Sequence, residues 1–236
     1  MKLVESGSLA ATVDNVNDSY FYGKEPSKAE REKAAKWIAS RQGLRGSYAG
    51  MFAPTEKDFE QGMRVFTGER IRSGAGTGHV LGEEACRALI LLNVSAANVR
   101  KALIDASAGM MGRLRGSHHW NVRSGTYCCG TCSASLWRHL AVGGLDQSER
   151  LLAAGLKTLK AHRDGSRWGH FPFYYTLLAL SETPLRAAIA EMSYAAPSCE
   201  RLLKRRPKDD KYDSRRRTLA ERVLEKCSSR CHAGRA

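Results

Sequence analysis

Three short segments of this chain resemble one another in a way that restricts what it can fold into. EEACRAL (Glu83–Leu89), TCSASLW (Thr131–Trp137) and YYTLLAL (Tyr174–Leu180) each place a small or hydroxyl residue third and end on a large apolar one. The third residues are Ala85, Ser133 and Thr176, and each segment follows a glycine-containing connection: SGAGTGH, NVRSGTY or DGSRWGHF. The segments start 48 and then 43 residues apart, a spacing that suits stacked helix hairpins. One such hairpin cannot bury its own apolar face, whereas neighbours in a stack can.

The rest of the chain follows the same period. Ser27–Gln42 carries Ala34 and Ile38 on one face, and Asn98–Leu114 spaces Val99, Ala102, Leu103, Ala106 and Met110 helically. Ser148–His162 does so with Leu151, Leu152, Leu156 and Leu159. Leu185–Leu203 repeats the pattern through Ile189 and Met192, with Pro197 starting or kinking its second half. Val80–Leu92 and Phe173–Leu180 are apolar nearly all round, which marks interior helices. With only six prolines and little strand-like alternation, the expectation is an all-α fold of amphipathic outer helices alternating with buried inner ones.

The segment LKTLKAHRDGSRWGHFPFYYTLLAL (Leu156–Leu180) resembles the repeat of the α/α-toroid superfamily, which includes protein prenyltransferase β-subunits and squalene-type cyclases. An outer helix ends there in a Gln-Asp-Gly-like turn, an aromatic follows, and an inner helix carries Tyr-x-T-x-x-A-L-like residues. WIASRQGLRGSYAGMF (Trp37–Phe52) echoes the turn through Arg41, Gln42, Gly43 and Tyr48. The resemblance covers about Lys28–Leu203 and consists mostly of structural residues. It implies an open or incomplete toroid of about four hairpins where the family closes with six, or one completed by a homodimer. A HEAT-like α-solenoid is the alternative.

The net charge of +14 is concentrated late in the chain, where thirteen Lys/Arg face five Asp/Glu from Arg201 onward. The expected organisation is a flexible segment over residues 1–26, a helical-repeat domain over 27–203 and a basic, partly helical tail over 204–236. Lys204, Arg205, Arg206, Arg215, Arg216 and Arg217 are the candidates for weak, sequence-independent contact with nucleic acid phosphates. A solubilising tail is the equal alternative. The first residues form no signal-peptide core, and no run reaches the ~18 apolar residues of a membrane span. The expectation is a cytoplasmic protein whose seven cysteines are reduced thiols.

Chemistry concentrates in TYCCGTCSASLWRHL (Thr126–Leu140). Cys129 and Cys132 form C-x-x-C at the start of an inner helix, where exposed amides favour a thiolate. Three readings stand: small soft residues filling a helix contact, a zinc site, and a redox or nucleophilic pair. Redox C-x-x-C motifs sit in a βαβ context, which this sequence lacks. A zinc site needs four ligands, so Cys129 and Cys132 would have to recruit His118 and His119 across a Gly/Ser-containing loop, with Cys128 or His170 as further donors.

The repeat alignment also brings Glu83, Glu84, Tyr174 and Tyr175 to inner-helix starts, where a carboxylate can exchange a proton and a phenol can donate one. His79, Trp168, His170 and Phe171 would line the same space. The competing reading is that acids in a first turn answer the helix dipole. Ser73–Gly78 could cradle phosphate as a loop before a helix, although it lacks the lysine of a P-loop. Squalene-type cyclases use an Asp-x-Asp-Asp motif that is missing here. The function expected from the sequence is binding of a small apolar molecule or peptide in a cavity at the inner-helix starts. An isoprenoid-related transferase or cyclase and a phosphate-binding basic solenoid are the alternatives.

Overall fold

The computed structural model describes residues 2–116, 120, 121 and 124–233. Among them ten α-helices account for most of the chain. They are α1 (Leu9–Phe21), α2 (Lys28–Ala39), α3 (Glu56–Glu60), α4 (Gly74–Leu92), α5 (Ala97–Arg115) and α6 (Gly130–Ala141), followed by α7 (Ser148–Ala161), α8 (Phe173–Glu182), α9 (Arg186–Leu203) and α10 (Lys211–Ala233). A 3-10 turn lies at Tyr48–Gly50. Strand is confined to two antiparallel hairpins, β1 (Trp120–Asn121) with β2 (Thr126–Tyr127) and β3 (Arg163–Asp164) with β4 (Arg167–Trp168). These hairpins occupy two of the glycine-containing connections picked out by the sequence. The fold is all-α.

Thr77–Leu89 of α4, Cys132–Leu140 of α6 and Tyr175–Leu180 of α8 are buried at every position. α4 packs on α6 and α6 on α8, while α7 and α9 cover the outside of α6 and α8. The outer helices keep one wet face, as at Arg100, Lys101 and Lys157. The apolar runs mark the interior because a helix without a polar face has nowhere else to go. Trp137 is 1% exposed, donates its indole N–H to the Gly125 carbonyl at 2.7 Å, and stacks on Phe171 with centroids 5.5 Å apart. A Cβ on Gly155 would lie 2.4 Å from the Trp137 Nε1, so only glycine lets α7 lie this close to the indole.

Polar groups tie the inner helices together. Glu84 accepts from the Arg138 guanidinium, from the Tyr175 hydroxyl and, at 2.9 Å, from the Asn17 amide. Arg138 also reaches Glu182 twice, at 2.8 and 2.9 Å, and Arg87 bridges Glu182 (2.8 Å) to Asn17 (2.5 Å). Two guanidiniums thus balance two carboxylates among α1, α4, α6 and α8. Burial opposes the charge on Glu182, yet Arg138 and Arg87 hold its pKa below the usual carboxylate range.

Three expectations need correction. Residues 1–26 contain α1, whose Leu9, Val13 and Val16 are buried against α4. Ser8 caps that helix, and the buried Asp58 accepts from Ser8 Oγ, Leu9 N and Ala10 N, placing a carboxylate where the dipole favours one. Second, α4 begins at Gly74, so Ser73–Gly78 is no phosphate loop; the Ser73 hydroxyl is committed to the Gly76 amide. Third, the basic tail is not a free appendage: Leu219, Ala220 and Val223 of α10 are fully buried, and α10 packs on α9 and α8.

Candidate functional site at the start of α6

The β1–β2 hairpin delivers the chain to α6 through Cys128 and Cys129. Ser133, one turn into the helix, accepts the Tyr127 amide at 3.0 Å and bonds the Cys129 carbonyl at 2.9 Å, pinning the hairpin to the helix. Cys129 is the N-cap in an extended conformation, and Cys128 before it adopts φ of +59°, a left-handed geometry that costs a non-glycine residue energy. The bend turns three sulfurs toward one another. The Sγ atoms of Cys128, Cys129 and Cys132 all lie within 4.8 Å of each other.

The three thiols are not equivalent. Cys128 and Cys129 are exposed and Cys132 is buried. Hydrogen bonding from Cys132 draws the Cys129 pKa down to about 5 against the effect of burial, helped by the Cys132 and Thr131 amides and by His79. The same hydrogen bond, with burial, pushes the Cys132 thiol far up. Burial and the neighbouring Cys129 also raise Cys128. The exposed Cys129 is therefore biased toward thiolate and the buried Cys132 toward thiol.

A shallow cavity of about 210 Å³ opens over Cys128 and Cys129, its walls including Tyr127, His162, His170 and Phe171. Gly130 makes it possible for the chain preceding α8 to cross here, since a Cβ at Gly130 would lie 2.1 Å from the His170 carbonyl. His79 of α4 stands behind the site, stacked on Tyr48 at 4.5 Å and edge-on to Tyr127 at 5.0 Å. The Tyr48 and Tyr127 hydroxyls bond each other, and Arg113 donates to the Tyr48 oxygen at 3.3 Å. Burial and the Tyr127 contact push Tyr48 up to about 12. Behind His79 lies Glu83, fully buried, 3.7 Å from the His79 Nε2 and bonded to His139 Nδ1. Burial opposes its charge, but the two imidazoles bring its pKa to about 2.

Of the residues expected from the sequence, Cys128, Cys129, His170 and Phe171 line this cavity, Cys132 is buried with its sulfur within 4.8 Å of the Cys128 and Cys129 sulfurs, and His79 and Glu83 lie in line behind. Glu83 and Glu84 sit in mid-helix, not in a first turn; Glu84 and Tyr175 belong to the buried polar network and do not line the cavity over the cysteines. Tyr174 lies on the outer side under the Arg216 guanidinium at 4.7 Å. Trp168 is buried, donating to Glu191 at 3.0 Å and stacked on Phe173. His118 and His119 lie outside the described residues. The arginines of α10 are engaged within the molecule: Arg215 is buried on Asp14 (2.8 Å) and Asp18 (3.0 Å), Arg216 bonds the Thr67 carbonyl (2.7 Å) and Arg217 bonds Asp213 (2.8 Å). Only Lys204, Arg205 and Arg206 of the proposed phosphate contacts stand exposed. Sequence reasoning gave no role to Tyr127, although it adjoins Cys128 in the same stretch, and missed His162, which shares no motif with the cysteines and arrives through the fold. No family model matches this chain, and no curated protein or solved structure matches it either.

Proposed function

We propose that this protein is a thiol–disulfide exchange module on a toroid-type helical-repeat scaffold, acting on a peptide or small apolar molecule that carries a disulfide. The observation that carries the reading is the unequal pair at the start of α6: an exposed Cys129 and a buried Cys132 whose sulfurs lie within 4.8 Å, in surroundings that draw the Cys129 pKa down and push the Cys132 pKa up. The cavity is smaller than the ~300–1,000 Å³ typical of sites that enclose a ligand. It suits the disulfide and its immediate neighbours, with the rest of the substrate lying outside.

The electron balance is straightforward. Cys129 Sγ attacks one sulfur of the substrate disulfide, forming a mixed disulfide and expelling the other sulfur as a thiolate. Cys132 has now lost the thiolate that it was hydrogen-bonded to. It passes its proton to the departing thiolate and attacks Cys129 Sγ, which releases the second substrate sulfur as a thiolate. The substrate gains two electrons, the protein holds a Cys129–Cys132 disulfide, and an external thiol reductant regenerates it. The helix start favours the thiolate electrostatically without a βαβ fold, which is why the absence of that fold does not remove the chemistry.

Isoprenoid chemistry draws little support from this geometry, because the carboxylates nominated for it are locked in buried contacts. Phosphate binding through α10 draws little either, since Arg215–Arg217 are engaged. The test is a trapping experiment: Cys132→Ser protein incubated with a disulfide-containing peptide should accumulate a mixed disulfide at Cys129, detected by intact mass. Wild-type protein should instead turn over to its internal disulfide. No adduct at Cys129, or equal adducts at Cys128 and Cys129, would reject the assignment.

A further inference from the structure

We propose that Cys128, Cys129 and Cys132 together form a three-coordinate site for a soft monovalent cation, copper(I). The proposal uses the sulfurs of the exchange reading but adds Cys128, which that reaction does not need.

Three ligands about 2.3 Å from a central ion, a usual metal–thiolate length, stand about 4 Å apart when arranged in a plane. The three sulfurs already lie within 4.8 Å of one another, so movements well under 1 Å per sulfur would close the site. Backbone geometry supports the same set. Cys128 takes a left-handed φ of +59°, and in that conformation its sulfur lies within 4.8 Å of both others. Such strain costs about 1–3 kcal/mol and is concentrated at functional sites.

The number of donors selects the ion. Zinc in a closed protein site takes four ligands. Among the described residues no histidine, carboxylate or further cysteine joins the three sulfurs within the same 4.8 Å. His162, on the cavity wall, has its Nδ1 on the Thr158 carbonyl at 3.0 Å, and its ring packs edge-on to Phe171. An all-thiolate donor set favours soft copper(I) over harder ions, and three-coordination suits it. The position suits loading as well: Cys128 and Cys129 are exposed and line the cavity, while Cys132 is buried within reach of both. Binding transfers no electrons. The thiols that coordinate release their protons to solvent as the ion leaves its carrier.

The experiment titrates fully reduced, full-length protein anaerobically with copper(I) held by a chromophoric chelator, and separately with zinc(II). One copper(I) per chain should be withdrawn from the chelator, and X-ray absorption of the loaded protein should fit three sulfur neighbours. Cys128→Ser should weaken binding by more than about a hundredfold, beyond the ~10–100-fold that loss of an outer partner costs. Cys128 is exposed, so the variant should keep the wild-type circular dichroism spectrum. Equal copper(I) affinity in Cys128→Ser, two sulfur neighbours in the wild type, or no copper(I) bound would each overturn the proposal. So would zinc bound more tightly than copper(I) with His118 or His119 as a fourth ligand. Failure of this site and failure of the exchange reading are separable, because exchange is scored by the Cys132→Ser adduct and copper by the Cys128→Ser binding curve.

Discussion

Replacing Arg138 by methionine tests the logic of the interior most directly. The guanidinium is 1% exposed and bonds Glu84, Glu182 at 2.8 and 2.9 Å, and the face of Tyr175 at 5.6 Å. Its loss does not fall equally on the two acids. Glu182 keeps Arg87 at 2.8 Å, whereas Glu84, 3% exposed, retains only the neutral Tyr175 hydroxyl and the Asn17 amide as hydrogen-bond donors. Stranding one partner of a buried ion pair costs about 3–5 kcal/mol, a large part of the ~5–15 kcal/mol that holds a domain folded. With a urea m-value of about 2–3 kcal/mol/M, the unfolding midpoint should drop by roughly 1–2 M. The double variant Arg138→Met/Glu84→Gln removes the stranded charge and should recover at least ~1 kcal/mol, within the coupling range for residues in contact. A single-variant loss under about 1 kcal/mol, or a double variant no better than the single, would show that the network does not hold the helices as argued.

Four further outcomes are expected. Trp137→Ala should cost ~3–5 kcal/mol in urea unfolding, because a fully buried indole, its bond to Gly125 and its stack on Phe171 all disappear; a cost below about 1 kcal/mol would contradict the inner position of α6. Alkylation of Cys129 by iodoacetamide should be half-maximal near pH 5, well below the ~8.5 of a free thiol, with Cys132 unreactive until unfolding; a midpoint near 8 would remove the thiolate. Glu83 has its pKa lowered to about 2 from 4.5, so its stabilisation is complete above pH 4.5 and lost as pH falls toward 2; Glu83→Gln should lower stability at neutral pH and flatten acid unfolding across that window, and an unchanged profile would discount the histidine contacts. Truncation after Arg201 removes the buried Leu219, Ala220 and Val223 and the Arg215 bridge to Asp14 and Asp18, so the melting midpoint should fall sharply; an unaltered melt would return the tail to a solubilising role.

What the sequence made legible was the interior, and the reason is periodicity. Val80–Leu92 and Phe173–Leu180 carry no polar stripe running their length at helical spacing, so the pattern marks them as interior. Trp137, Leu178 and Leu180 are each 1% exposed, as that argument requires. The start of α4 was not legible, because Gly74, Gly76 and Gly78 read as loop punctuation. Further along the helix a Cβ at Gly82 would lie 2.7 Å from the Met51 side chain, so that glycine marks close passage rather than flexibility. α1 was hidden for a different reason. Asp14, Asn17 and Asp18 look like surface residues, and their partners Arg215, Glu84 and Arg87 lie far along the chain, where no local pattern can reveal the match. The cysteines were visible as a cluster. Their unequal roles were not, since burial of Cys132 and the turn at Cys128 are set by α7 and by the chain preceding α8.

The position of the thiols along α6 also explains how an exposed, strained cluster can persist on a marginally stable fold. A left-handed Cys128 opposes local folding, so its geometry must be imposed from elsewhere. α6 supplies that constraint. Its carboxyl-terminal half carries Arg138 and His139, fixed between α4 and α8 by Glu84, Glu182 and Glu83, so the helix cannot roll about its axis. Its first turn is held by Ser133 below and by the His170–Phe171 backbone passing over Gly130 above. A rigid helix clamped deep in the core projects only its first turn into the cavity, which keeps the three sulfurs close without a covalent bond among them. The buried charges and the exposed thiols are thus two ends of one device: the interior network sets the orientation of α6, and that orientation decides which sulfur meets solvent and which stays beneath it.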